Sequence, residues 1–337
     1  MEGDSVTTIL ITGATGFIGG RLAQRLASQA DGNTEIRALV RSPQNATHLA
    51  KLGIRLIPGD LTDTLSIRRA MTGCQIVYHA AAWVGESGDP YQVWQVNVIG
   101  TQYLVEMALV TGVKRFIHLS SCAVYGSLQE FDIGEDEPMY RSGELYADTK
   151  IAAEEFVMHA HEKRGLPAVV VRPSQVYGPG SHQFTIRPIQ LIQSGKMMLV
   201  DGGVDLCKPL YIENLVDGLL LCASHKAAIG EVFNFTDGAP VPWHKFFGAY
   251  REMLGKEQLP SVPYPVAWLV ALFYEQQAFF SGKKANFNRQ VLAALCSSNS
   301  FSHEKAQQVL GWHPQINLVQ GMAHTKVWLQ EAGYLAT

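Results

Sequence analysis

The sequence predicts an α/β protein: a doubly wound parallel sheet followed by a smaller, mostly helical C-terminal lobe. Three observations carry this. The first half alternates short β-branched apolar runs with longer amphipathic stretches, the pattern of strands covered by helices. Its strands are continuously apolar rather than alternating, as a parallel sheet buried on both faces requires. After Pro173 the regularity ends: Gly178, Pro179, Gly180, Pro188, Pro209, Pro240, Pro242, Pro263 and Pro265 punctuate irregularly spaced helical segments.

In order, the pattern predicts a strand over 8–12, a Gly-rich turn, a helix over 17–29, and strands over 36–40, 54–57 and 75–79. A helix over 91–110, a strand over 115–120, a helix over 147–164 and a strand over 168–171 follow. We expect a dinucleotide-binding unit over 1–178 with a return segment near 204–236, and a substrate lobe over most of 179–337. The 337 residues suit one large domain or two lobes sharing a core, and a hydrophobic content of 47% suffices to bury one.

Composition also excludes. The net charge is −3 and no basic stripe is visible, so nucleic acid is not an expected partner. The five cysteines (Cys74, Cys122, Cys207, Cys222, Cys296) are odd in number and form no CxxC pair, which reads as buried thiols in a reducing cytoplasm. They and the histidines are too scattered for a metal site, so no metal is expected. The acidic, polar start MEGDSVTT is not a signal peptide, and no run reaches the ~18 apolar residues of a membrane-spanning helix.

Thr12 to Gly20 reads TGATGFIGG between the first strand and the first helix. Gly13 permits a tight turn, Gly16 lets backbone amides approach a pyrophosphate, and Gly19 lets helix pack on strand. The helix N-terminus then faces the anion. This context makes the sheet Rossmann-type and predicts a bound dinucleotide. Where a free ribose 2′-hydroxyl is recognised, the second strand ends in an acid. Here it ends Leu39-Val40-Arg41-Ser42. A guanidinium suits a 2′-phosphate, so NADP(H) is favoured, with NAD(H) the alternative. Asp60, after the third strand, is placed either to accept from the adenine amino group or to cap the helix before Leu65.

Tyr146 and Lys150 stand four residues apart at the start of a predicted helix and so share a face. A nearby ammonium favours phenolate, and moving the pKa of a phenol by about three units takes roughly 4 kcal/mol. Tyr146 is therefore the expected acid/base and Lys150 its activator. Ser120 and Ser121 close the fifth strand at the carboxyl edge, where ligands bind in open sheets.

TGATGFIG, Gly59-Asp60-Leu61, HAAA at 79–82, VNVIGT at 96–101, LSSCAVYG at 119–126, YADTK at 146–150 and RPSQVYGPG at 172–180 occur in this order. The whole chain resembles the extended short-chain dehydrogenase/reductase superfamily, also called the NAD-dependent epimerase/dehydratase family. The resemblance implies that Ser121 donates to a substrate oxygen and that Asn97 supports a proton relay. It implies that Thr15, Phe17 and Ile18 belong to the pyrophosphate turn. Leu61 and Ala80, Ala81 and Ala82 would line the cofactor channel, with Pro173 and Val176 near the nicotinamide and Lys150 on its ribose. Helices 91–110 and 147–164 would form a homodimer interface.

Within the family, nucleotide-sugar enzymes carry an Arg-Asp pair before the late tyrosine strand. Here Lys208-Pro209 takes its place, and a lysine cannot make the forked contact to a diphosphate. The ending YIENLVDG is closer to the 3β-hydroxysteroid dehydrogenase-like branch, which includes bacterial β-keto-acid reductases that tolerate a basic end to the second strand. The resemblance thus implies an oxidoreductase interconverting a hydroxyl and a ketone on a small hydrophobic, sterol-like or β-keto-acid substrate. A nucleotide-sugar epimerase or dehydratase is the alternative. A non-catalytic sensor of NADP(H) would predict a damaged triad, and the triad is intact. Trp83, Ser121, Cys122, Phe184 and Lys208 are the candidate substrate contacts. Within the segment 262–280, Ala267 to Phe273 is apolar almost all round, which a solvent-facing helix would not tolerate, before Glu275, Gln276 and Gln277 interrupt it. The segment is expected to be a buried lobe helix, a lid, or a peripheral membrane contact.

Overall fold

A computed structural model describes residues 6–84, 89–126, 131–281 and 287–335. Seven strands form the main sheet: β1 Thr7–Thr12, β2 Thr34–Val40, β3 Arg55–Pro58, β4 Ile76–His79, β5 Arg115–Leu119, β6 Ala168–Pro173 and β7 Val232–Phe235. Their spatial order is β7-β6-β5-β4-β1-β2-β3, and every pair is parallel. The order reverses between β1 and β4, the switch point where a doubly wound sheet opens a crevice. The last strand comes from the second half of the chain, which re-enters the sheet beside β6.

Side chains alternate between two cores. On one face Ile9, Ile11, Ile117 and Val169 meet Leu22 and Leu26 of α1 (Phe17–Gln29) together with the late helix Ile212–Ser224. On the other, Leu10, Val77, Phe116 and Val170 meet three helices: α2 (Thr64–Met71), α3 (Gly100–Thr111) and α4 (Leu145–Arg164). α2 is capped by Asp63, whose carboxylate accepts from the Leu65 amide; the cap is therefore Asp63 rather than Asp60. The helix predicted over 91–110 begins as the turn Pro90–Trp94 and passes through a π-helical turn, Gln95–Ile99, before α3. The π turn holds Asn97.

Beyond β6, a short strand Gln175–Tyr177 pairs in parallel with Pro209–Tyr211. The chain then enters α5 (Ile212–Ser224). Asn214, fully buried, accepts from the Gln315 and Ile316 amides and donates to the Ile316 carbonyl and Asp237. One side chain thus locks the C-terminal segment onto the sheet. α6 (Trp243–Met253) packs an aromatic row, Trp243, Phe246, Phe247 and Tyr250, against the lobe.

α7 (Tyr264–Ser281) does not behave as a buried lobe helix. Ala267 and Ala271 pack inward, while Val266, Trp268, Leu269, Phe273, Tyr274 and Phe280 are exposed. Its inner side meets the small cluster of Val200, Leu292 and neighbours, too small to cover an apolar helix on all sides.

Candidate active site

The turn after β1 is built as a cradle. Gly13 has φ +76°, and a Cβ there would lie 2.6 Å from the Ala81 amide nitrogen, so only glycine lets β1 and the end of β4 approach this closely. A Cβ on Gly19 would lie 2.3 Å from the Gly13 carbonyl oxygen. Thr15 and Gly16 are exposed at the tip. Among the described residues no side chain caps α1, and its first turn carries no acid. Its leading N–H groups, on Phe17, Ile18 and Gly19, are the donors an anionic pyrophosphate needs. The fit to a dinucleotide is therefore good: Gly13, Thr15, Gly16, Phe17, Ile18 and Gly19 would hold the phosphates, and half-buried Ala80, Ala81 and Ala82 follow β4 beside them.

At the adenosine end Arg41 is exposed and forms no ion pair among the described residues. Asp60 uses one carboxylate oxygen to accept from the Thr62 amide and hydroxyl, at 2.9 and 2.7 Å. Buried Leu61 packs on Gly100, where a Cβ would meet the Leu61 Cβ at 2.8 Å.

Ser121 and Tyr146 come together at the carboxyl ends of β5 and β6. The Ser121 hydroxyl lies close enough to the Tyr146 phenol to favour its ionised form, and Ser121 Oγ accepts from the Ala123 amide at 3.1 Å. Tyr146 and Lys150 share the first turns of α4, as their spacing predicts. The expected activation, however, differs. Lys150 Nζ donates to the Leu119 carbonyl at 2.7 Å. Burial pushes the Tyr146 phenol up to about 12, with the Ser121 hydrogen bond acting in the lowering direction and the Glu144 carboxylate in the raising one. The lowered phenol expected from a neighbouring ammonium is thus not produced by these side chains: desolvation dominates, and Ser121 rather than Lys150 acts against it. Burial also brings Lys150 down to about 8, against the pull of Glu154.

Asn97, placed at the site by the π turn, is fully engaged. Its amide oxygen accepts from the Trp83 amide at 2.7 Å, and its nitrogen donates to the Trp83 carbonyl at 3.1 Å and to Thr149 Oγ1 at 3.0 Å. It ties the stretch after β4 to α4. Thr149 Oγ1 in turn donates to the Tyr146 carbonyl, which fixes the turn that presents the phenol.

Other predicted contacts fall behind this edge. Cys122 is buried, its thiol donating to the Arg172 carbonyl at 3.2 Å. Lys208 is buried, and its ammonium donates to the Ser297 carbonyl at 2.9 Å; it binds the C-terminal segment rather than pointing into an open cleft. Phe184 is half-buried and packs on the main core. Pro173 ends β6, and Val176 is buried in the strand beyond it.

Sequence reasoning missed the groups that hold α4 in place. Glu154, one turn after Lys150, forms a buried ion pair with Arg172, which also donates to the Tyr125 hydroxyl and the Glu135 carbonyl. The signal was present: Glu154 lies four residues after Lys150, and Arg172 is a charge inside an apolar strand.

Comparison with known proteins agrees with this geometry. A family model described as the NAD dependent epimerase/dehydratase family matches residues 9–235. A farnesyl-dihydroquinoline-oxide ketoreductase of Stigmatella aurantiaca is 29% identical, with 93% of each chain covered. A 3-beta-hydroxysteroid dehydrogenase of Mycolicibacterium neoaurum is 26% identical over 94% of this chain and 89% of that one. A dTDP-glucose 4,6-dehydratase of Streptomyces venezuelae, solved with NAD, shares the fold with a TM-score of 0.79 at 21% identity, covering 98% of this chain and 99% of that one.

Proposed function

The chain belongs to the NAD-dependent epimerase/dehydratase family and is an enzyme of the extended short-chain type; from that premise we propose that it interconverts a ketone and a hydroxyl on an extended apolar molecule. The observation that carries this reading is the meeting of Ser121, Tyr146 and Lys150 at the carboxyl edge of the sheet, beside the glycine cradle. When bound, the dinucleotide supplies or takes the hydride. Ser121 holds the substrate oxygen. Tyr146, protonated at rest, passes its proton to that oxygen on reduction and reclaims it on oxidation. Lys150 holds the ribose and stabilises the phenolate left behind.

Two features support an apolar substrate. Lys208, at the position where a nucleotide-sugar enzyme would carry a diphosphate-gripping arginine, is closed on the Ser297 carbonyl. The two relatives named above act on a farnesylated quinoline oxide and on a 3β-hydroxysteroid. The exposed aromatic face of α7 fits a lid or entry surface for such a molecule. Arg41, with no acid at the end of β2, favours NADP(H) over NAD(H).

The test is a screen in both directions, with both cofactors, against sterols, β-keto acids, aromatic ketones and a UDP-sugar. The reading expects NADPH oxidation with a large apolar ketone. Conversion of the UDP-sugar with all the ketones inert would establish the epimerase or dehydratase reading instead.

A further inference from the structure

Behind the Ser121–Tyr146–Lys150 edge, on the sheet face covered by α3 and α4, three polar side chains stand in register: Thr12 of β1, His79 of β4 and His118 of β5. Each is 1% exposed. His79 is saturated. Its Nδ1 meets Thr12 Oγ1 and its Nε2 meets Thr101 Oγ1, both at 2.8 Å.

His118 is not. Its ring lies 5.3 Å from that of His79, centroid to centroid, yet neither ring nitrogen has a partner among the described residues. Ser120 Oγ, two residues on, is buried in the same state. Lys150 is 4% exposed and carries three donors, of which the Leu119 carbonyl takes one. Buried polar groups are nearly always bonded to protein or to ordered water. Here unmet acceptors on β5 and unmet donors on Lys150, which is bonded to the β5 carbonyl next in sequence to His118, face the same side of the sheet. His118 immediately precedes Leu119, and its side chain is on the face that α4 covers. Desolvation, with the Lys150 charge second, holds the His118 ring well below its ordinary pKa. A neutral imidazole keeps one acceptor nitrogen, and a lysine ammonium has only donors.

We infer that His118 is a positioning residue for Lys150: its unprotonated ring nitrogen accepts from the ammonium, directly or across one ordered water, and fixes the lysine beneath the cofactor ribose and the Tyr146 phenol. The role assigned by resemblance to Asn97 leaves this place open, because the Asn97 amide is spent on Trp83 and Thr149. The titratable groups facing the pocket are His79 from β4, Tyr146, Lys150 and Glu154 from α4, and Arg172 from β6. The last two are closed on each other, and Cys122 is turned onto the Arg172 carbonyl. From β1 and α3 come Thr12 and Thr101, and from the π turn Asn97, none of which titrates.

The inference rests on the acid/base roles proposed for Tyr146 and Lys150, and the experiment separates the two. His118→Leu removes the acceptor, and His118→Gln restores a neutral one. Without its acceptor the ammonium loses its proton at lower pH. The alkaline limb of kcat and that of NADPH binding, read by fluorescence, should therefore move together to lower pH by about one unit. The Gln variant should return both toward wild type. KM for the ketone should be unchanged, and the thermal midpoint of the Leu variant should equal or exceed wild type, since unmet buried polar atoms are removed. Wild-type pH profiles in the Leu variant overturn the inference, as do equal shifts in the Leu and Gln variants, which would make His118 a packing residue. Should the Leu variant not fold, a crystal structure of the wild-type holoenzyme decides: a direct bond or one bridging water supports the inference, and neither overturns it. Full activity in Tyr146→Phe would instead break the functional reading, without moving the pH profile of cofactor binding.

Discussion

At the carboxyl edge of the sheet, polar side chains are buried: Asn97 is 2% exposed and Lys150 4%. On α7 the opposite holds, with Leu269 60% exposed and Phe273 65%. Each region reverses the usual partition of polar and apolar groups, and each reversal has a different cause. At the edge, burial is imposed by covering elements: α3, α4 and the π turn close over the sheet, and Asn97, Thr149, Glu154 and Arg172 bond the covers to one another. The geometry is over-determined there, as a site that must position a proton requires. On α7 this chain supplies only a small inner cluster. The exposed face fits the lid or entry surface proposed for an apolar substrate.

The largest test of this contrast is at the edge. Tyr146→Phe should leave fold and cofactor affinity intact while kcat falls about 10²–10⁴-fold, the usual worth of a general acid/base; steady-state kinetics and cofactor titration read both. Arg41→Asp should turn the preference from NADP(H) toward NAD(H) by about 10- to 150-fold, the worth of a charge-assisted bidentate contact. The ratio of kcat/KM for the two cofactors measures it, and a wild type that already prefers NAD(H) would make Arg41 a loop residue. Lys150→Met should weaken both turnover and cofactor binding, by about tenfold or more each if one charged hydrogen bond is lost in each state.

On α7 the effects should be smaller and of another kind. Trp268→Ser and Phe273→Ser should raise KM severalfold for a large apolar substrate and leave a small ketone nearly unaffected. Their cost in stability should stay within about 0.5 kcal/mol, as for surface positions. Equal loss for both substrates, or a large fall in thermal midpoint, would return α7 to the core. Flotation with liposomes, with and without anionic lipid, tests the peripheral membrane contact; protein that stays at the bottom removes it.

A further, pH-dependent effect concerns Asp237, which accepts from the Tyr211 amide and Asn214 at the start of α5. Burial pushes its carboxyl up to about 7, against those hydrogen bonds. An unfolded Asp titrates near 3.9, so between these values the folded state holds the proton more tightly. The stability this contributes is fully present below about pH 4 and is lost as pH rises through about 7. The thermal midpoint should carry that slope in wild type and lose it in Asp237→Asn.

Legibility in the sequence follows the same divide. The strands and the glycine turn were readable because a parallel sheet covered on both faces forces unbroken β-branched runs, and because Gly13 and Gly19 have no substitute where backbones touch. The shared helix face of Tyr146 and Lys150 was readable from their spacing and the place of Ser120 and Ser121 from the strand end, while the choice of Ser121 came from the family resemblance. The raised Tyr146 phenol was not, since desolvation is a property of the assembled site rather than of a four-residue interval. His118 was passed over as one more strand residue, although its two-residue offset from Phe116 puts it on the same buried face. Of the three readings of α7, the buried lobe helix does not fit its exposed face; a helix apolar all round normally signals burial, and periodicity does not reveal how little of the chain packs against it.

Counting cofactor against product separates the two chemistries. A ketone–hydroxyl oxidoreductase leaves one reduced nicotinamide oxidised for each carbonyl reduced, whereas an epimerase or dehydratase returns its hydride and leaves the cofactor balance unchanged. With wild-type enzyme, NADPH and a large apolar ketone, we expect equal amounts of NADP⁺ and alcohol, both abolished in Tyr146→Phe. Turnover of a nucleotide sugar with no net change in the reduced cofactor would contradict the account.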